Sequence, residues 1–278
     1  MEFETMRRKP STVDVRRHRA EPSAVAPVRH EVLAVVFQVR GGTLQALLWQ
    51  RALPPFAGAW ALPGGWLAAG ETLEESLRRH LAAKVDVREV AHLEQLETLS
   101  DPARRQDERV LATAFVGLVP VDQDPLLPTD TAWHPAIAPP AMAFDHLQLV
   151  HSAVRRLRGE LSGTNVGFAL APASFTISEL AEVYAAALGH DVTPTNLQRV
   201  LLRRGLLEPA GAHRPPGRAG GRPAATYRFR ERRLRVTDRF APLAAPREGP
   251  APPSTLPGAE PSSPRAPRGG REPRPRSS

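Results

Sequence analysis

Residues 32–39 (VLAVVFQV) form an apolar, β-branched run, and residues 44–49 (LQALLW) form a second, with Gly41-Gly42 between them. Two such runs around a glycine pair predict a β-hairpin, because the tightest hairpin turns need positive φ. Leu73, Leu77 and Leu81 then recur at helical spacing within 72–84. Strand-like runs come next at 93–99 and 110–119. A long helix is predicted from Asp145, with Val150, Ala153, Val154, Leu157 and Leu161 on one stripe and Arg155, Arg156 and Arg158 on other faces. A hairpin, further strands and a helix behind a Gly-rich loop describe a mixed α/β unit, and the long helix is placed to bridge it to a second unit.

After a turn-rich joint (SGTNVGFALAP) the pattern changes. Thr176 or Ser178 can cap a helix with Glu179 in its first turn; Ile177, Leu180, Ala181, Tyr184 and Leu188 keep one face apolar, and Gly189 stops it. Thr193-Pro194 reads as N-cap and first residue of another helix. There Leu197, Val200 and Leu201 point inward, Thr195, Arg199 and Arg203 point away, and Asn196 lies on the flank. Arg204 falls on the inner side near the helix end and is assigned a capping role. Two helices joined by a short turn, the second polar and basic outside, form a helix-turn-helix. A Gly/Pro/His/Arg loop over 209–223 and a strand from Ala225 complete a winged helix, its wing carrying Arg214, Arg218 and Arg222.

Charge sharpens this division. Residues 28–150 carry ten Lys/Arg against fifteen Asp/Glu, whereas residues 162–240 carry twelve Arg against six acids, all twelve at or after Arg199. A positive field concentrated on one module draws in a polyanion. The 278-residue chain has no cysteine, which excludes disulfides and thiolate metal sites. The polar N-terminus is not a secretory signal, and no apolar run reaches membrane-span length, so a cytoplasmic protein with no membrane partner is expected. Beyond Phe240 the chain is Pro, Ala, Gly, Ser and Arg, and a disordered Pro/Arg-rich tail is expected.

The chemistry-bearing segment is Trp60-Ala-Leu-Pro-Gly-Gly-Trp66 with Gly70-Glu71 after it. It resembles the start of a Nudix box, which places Gly65, Glu71, Arg79 and Leu81 at the family's glycine, first glutamate, arginine and apolar positions. The remaining three glutamates of that pattern fall on His80, Ala83 and Lys84, and its closing glycine on Asp86. Positions 80, 83 and 84 share one helix face. In the enzymes that face gathers carboxylates around divalent cations that neutralise a diphosphate and activate water. Here it offers an imidazole, a methyl and an ammonium. The fold is kept and the catalyst removed, so the unit is read as a binding domain. The glycine loop's N–H groups suit a diphosphate, Arg51 is a candidate phosphate or ribose partner, and Trp60 and Trp66 offer either a base-stacking surface or apolar packing. Glu74 and Glu75 are read as helix pairs with Arg78 and Arg79.

Taken together, LPGGW (62–66), LEQLETLSDPARR (93–105), AFDH (143–146), FTISELAEVY (175–184), TNLQR (195–199) and GRPAATYRF (221–229) resemble the Nudix-related (NrtR-type) transcriptional regulators. The expected architecture is an α/β Nudix-like sandwich with a C-terminal winged helix-turn-helix. Its parts are a flexible segment (1–27), a sensing domain (28–144), a linker helix (145–161), the DNA-binding domain (162–240) and the tail (241–278). The resemblance implies a homodimeric repressor of NAD-metabolism genes with no catalytic residues, no metal and no cofactor, its effector ADP-ribose or NAD. Expected effector contacts are Arg51, Trp60, Gly64, Gly65, Glu71 and Arg79. Expected contacts to an operator in double-stranded DNA are Thr195, Asn196, Arg199, Arg203, Arg218 and Arg222. The alternative is a Nudix hydrolase acting on ADP-ribose-type nucleoside diphosphates, with Asp107 or Glu108 supplying a stray carboxylate.

Overall fold

The computed structural model describes residues 27–105, 108–214 and 223–238. Its first strand, β1 (Arg29–Arg40), is buried on both faces from Val32 to Val39. Val32, Ala34 and Val36 face one apolar cluster, and Leu33, Val35, Phe37 and Val39 the other. This two-sided burial is why the sequence reads as a nearly unbroken apolar run rather than an alternating one. The hairpin to β2 (Thr43–Gln50) turns at Gly41 and Gly42 with φ of 56° and 74°, the positive pair that a two-residue turn demands. The one polar residue in β1 between Val32 and Val39, Gln38, is fully buried and satisfied: its amide donates to the carbonyls of Pro120 and Gln123, and its oxygen accepts from Arg40.

The glycine segment folds as two short strands, β3 (Trp60–Ala61) and β4 (Gly64–Trp66), before helix α1 (Leu73–Val85). Thr72 caps α1 and Glu75 closes a capping box on the Thr72 N–H, so Glu75 is spent on the cap; Glu74 does pair with Arg78. Strands β5 (His92–Leu99), β6 (Val110–Leu118) and β7 (Thr131–Pro135) complete the sheet, in which β1 pairs parallel with β6 and antiparallel with β2 and β4. Three of these strands, β3, β4 and β7, go beyond the sequence expectation; two of them have three residues or fewer and leave no period to read. Leu77, Leu81 and Val85 of α1 cover one face of the sheet. The other is covered by α2 (His146–Gly163), whose Leu149, Val150, Ala153, Val154, Leu157 and Leu161 are all buried.

The second unit holds β8 (Phe175–Thr176), α3 (Ile177–Leu188), α4 (Pro194–Arg203), β9 (Leu207–Arg214) and β10 (Ala224–Phe229), with the strands in the order β8-β10-β9. Thr176, not Ser178, caps α3 through a capping box with Glu179, and Gly189 ends it at φ 78°. Strand β9 occupies the first part of the segment that composition suggests is loop: Pro209 and Arg214 stand opposite β10, with a bulge near Ala225–Tyr227 absorbing the irregular residues. The two units share one apolar core, running from Phe37 and Val39 through α2 to Leu180, Leu197 and Phe229. No helix among the described residues is long and apolar enough to cross a membrane. Residues 1–26, Asp107, Arg218, Arg222 and the tail lie outside the described residues.

Candidate functional site

Close approach of backbone explains the glycine pair. A Cβ on Gly64 would overlap the Val32 carbonyl across the β1–β4 pairing, and one on Gly65 would overlap the His80 ring. The three-residue strand therefore lies flat between β1 and α1. Two side chains of α1 tie it there: Lys84 Nζ donates to the Gly64 carbonyl at 2.7 Å, and His80 Nε2 donates to the Trp66 carbonyl at 3.1 Å. Lys84 also stands 4.4 Å over the Trp49 ring. Burial lowers the pKa of both groups, for His80 with the Arg79 and Lys84 charges adding to it. Ala83 is exposed. Glu71 and Arg79 form a bidentate pair, 2.6 and 2.8 Å, and Glu71 also accepts the Ala68 N–H, which braces the loop against α1 and holds the Glu71 carboxyl down to about 2.

Beside this strand opens a cavity of about 480 Å³. Of the six residues read as effector contacts, Arg51, Gly64 and Gly65 line it, and Trp60, Glu71 and Arg79 are not among its lining residues. Trp60 packs edge-on against His134 with ring centroids 4.2 Å apart. Trp66 does reach the wall, with Arg29 3.6 Å over its ring. Four more wall residues, Glu31, Lys84, Arg105 and His146, carry no binding role in the sequence reading.

Buried charge pairs explain how these residues come together. Arg104, almost fully enclosed, donates to both oxygens of Asp145 (2.8 and 3.0 Å) and to Glu31 at 3.0 Å. Arg105 donates to both Glu31 oxygens at 3.1 and 3.2 Å. Arg105 and Arg51 stand over the Phe144 ring at 3.7 and 4.8 Å. The segments ending in Ala-Arg-Arg and beginning Ala-Phe-Asp-His thus meet through Glu31, at the point where α2 begins. The signal lay in those segments, but nothing in their spacing shows that the two arginines share one carboxylate. Glu108 pairs with Arg29 at 3.0 Å and is not itself a lining residue.

On the second unit, Thr195, Asn196, Arg199 and Arg203 are all exposed on α4, while Leu197, Val200 and Leu201 are buried. Arg199 Nη2 donates to Asn196 Oδ1 at 2.7 Å, so the two present one polar cluster. Gln198 donates to the Tyr227 hydroxyl, fixing α4 against β10. Arg214 is engaged within the unit, by Glu179 and the Ser174 carbonyl. Arg204 caps, but not its own helix: Nη1 donates to the Ser162 carbonyl in the last turn of α2 at 2.9 Å.

An α/β sandwich with a donor-lined cavity at its glycine strand, joined by one helix to a winged helix with a polar, basic recognition face, defines a two-module protein of the Nudix-plus-winged-helix class. The NUDIX domain family matches residues 28–154, and the NrtR DNA-binding winged helix domain matches residues 167–229. The chain is 31% identical over 204 residues to the ADPR responsive transcriptional repressor NtrR of Acinetobacter baylyi, covering 70% of this chain and 79% of that one. The structure is similar to that of Shewanella oneidensis NrtR in complex with a 27mer DNA, with a TM-score of 0.61 at 32% identity over 72% of this chain and 92% of that one. A MutT/nudix family protein from Enterococcus faecalis shares the fold, with the same TM-score at 22% identity, covering 74% of this chain and 89% of that one. The chain belongs to the NrtR family of Nudix-related transcriptional regulators.

Proposed function

We propose that this protein is a homodimeric transcriptional repressor whose winged helix binds an operator and whose Nudix domain, without catalytic activity, senses ADP-ribose. The carrying observation is Lys84 Nζ on the Gly64 carbonyl. It puts an amine donor on the helix face where enzymes of this fold gather carboxylates for divalent cations, so a diphosphate meets an amine instead of metal-activated water. The adjoining cavity has the volume of a small-molecule site and walls rich in cationic donors. The Acinetobacter relative is described as ADPR responsive, and the Shewanella protein binds DNA. ADP-ribose is a breakdown product of NAD, so the regulated genes are those of NAD metabolism.

The α4 face of each protomer enters a major groove, and two-fold symmetry makes the operator a palindrome with half-sites about one helical turn, or a multiple, apart. A gel shift against the DNA upstream of the gene should show binding that ADP-ribose weakens roughly 5–150-fold, with NAD as the comparison ligand. The same protein should leave ADP-ribose intact in Mg²⁺ or Mn²⁺. Hydrolysis at an ordinary enzyme rate of roughly 1–10³ s⁻¹, abolished by Glu71→Gln, would make the protein a hydrolase instead.

A further inference from the structure

Two buried N–H groups on the cavity wall have no hydrogen-bond partner among the described residues. The first belongs to His146, 2% exposed. Its Nδ1 accepts the Leu62 N–H at 3.0 Å, which fixes the tautomer: the proton sits on Nε2, and Nε2 is unpartnered. The second is Arg105 Nε, idle although the same guanidinium holds Glu31 through Nη2. Unmade buried donors are costly and uncommon in native proteins, and two on one wall call for a reason.

The rest of the wall says what would complete them. Arg51 and Lys84 add positive charge, and the one carboxylate among the described lining residues, Glu31, is already taken by Arg104 and Arg105. Among the described lining residues no side-chain oxygen is left to accept a hydrogen bond. Phe144 neighbours both idle donors, its ring 3.7 Å from the Arg105 guanidinium and 5.5 Å from the imidazole, held at φ 54°, a left-handed conformation unfavourable for a bulky residue.

We propose that Arg105 Nε–H and His146 Nε2–H form an anion-reading pair that receives oxygens of the diphosphate of an ADP-ribose-type nucleotide, with Phe144 covering them until the ligand arrives. This rests on the effector-sensing reading above and gives it a physical point of entry. His146 is the first residue of α2, and Asp145 before it is held by Arg104. The ligand therefore touches the helix that enters the DNA-binding unit without an intermediary. Burial drives the His146 pKa to about 3, so this donor is neutral and contributes geometry rather than charge.

The experiment is calorimetric titration of ADP-ribose and of ADP into the full chain and into His146→Asn, with an operator gel shift on both proteins. The Asn side-chain oxygen retains an acceptor for the Leu62 N–H and removes the Nε2 donor. Affinity for both nucleotides should fall roughly 10–100-fold, and the gel shift of the variant should need correspondingly more ADP-ribose to respond. Undiminished ADP-ribose affinity in the variant overturns the proposal. A loss confined to ADP-ribose overturns the diphosphate assignment, since ADP carries a diphosphate at the same position of its adenosine. Failure of the unaltered protein to bind either nucleotide would instead fault the sensing reading itself. Should the variant fold poorly, the His146 Nε2–H resonance of the ¹⁵N-labelled full chain decides: a downfield shift on adding ADP-ribose supports the proposal, and an unmoved signal overturns it.

Discussion

Arg204, at the end of α4, donates to the carbonyl of Ser162 at the end of the helix that leaves the Nudix domain, 2.9 Å away. A second nitrogen reaches Asp238 at 3.3 Å, and the side chain is 6% exposed. Arg158 of α2 meanwhile contacts the Ala187 carbonyl at the end of α3. Both helices of the helix-turn-helix therefore finish on α2, so a tilt of α2 carries the recognition helix with it.

Replacing Arg204 by Met should keep much of the packed volume and remove the donor to Ser162. An unmade buried hydrogen bond costs about 1–3 kcal/mol, which corresponds to a fall in melting temperature of roughly 2–12 °C for a domain of this size. Thermal unfolding monitored by circular dichroism measures it. A melting point equal to that of the parent would mean that the Arg204–Ser162 bond contributes nothing to holding the helices together.

The Arg199–Asn196 bond bears on sequence reading. Arg suits guanine and Asn suits adenine in the major groove, each through two hydrogen bonds. Because Arg199 donates to Asn196 Oδ1 in the free protein, each residue restrains the other before DNA arrives. Arg199→Ala should weaken operator binding by about 1–3 kcal/mol and relax preference at one base position. Fluorescence anisotropy on the operator and its single-base variants tests this, and an unaltered base preference at every position would exclude Arg199 from direct readout.

A pH effect should arise where α2 crosses β5. His92, Glu94 and Glu160 offer ligand atoms within 4.8 Å of one another, and Arg156 reaches Glu94 at 3.2 Å. Burial and the facing Glu94 carboxylate push Glu160 up to about 8. Glu94, against its own burial, is held below the carboxylate range by His92, its bond with Glu160 and Arg156. With its folded pKa above its unfolded value, Glu160 holds a proton in the fold that the unfolded chain has already released. The contribution of Glu160 to stability is therefore fully present below about pH 4.5 and is lost as pH rises through about 8. Glu160→Gln should raise the melting temperature at pH 8.5 by a few degrees and leave it nearly unchanged at pH 4.5. An equal effect at both values would show that the carboxyl does not titrate in this window.

Much of the architecture could be read from the chain because its elements obey simple periods. The β1–β2 hairpin, α1, α2 and the two helices of the winged unit each declare themselves through apolar spacing, with turn or capping residues at their ends. The site was less legible. Gly64, Gly65 and Arg51 stood out as a loop and a lone cation, but Trp60, Glu71 and Arg79 drew attention through the family pattern and sit outside the lining of the cavity, Glu71 and Arg79 bracing the loop. Glu31 gave no signal, since it sits at the polar start of β1 just before the apolar run, and its meaning depends on two arginines more than seventy positions later. Strand β9 was obscured because Pro209 and Gly211 look like loop residues, and only its pairing with β10 overrides them.

The continuous apolar core has a consequence for portability. Leu180, Val183, Leu197 and Val200 of the winged unit belong to the same cluster as Phe37, Val39 and Leu44 of the sheet, with α2 between them. The DNA reader is thus not a detachable cassette. Grafted onto another sensor without α2, it would carry a bare greasy flank into water, the kind of surface that seeks any partner available. A transfer of this reader to another sensor would therefore have to carry α2 along with it.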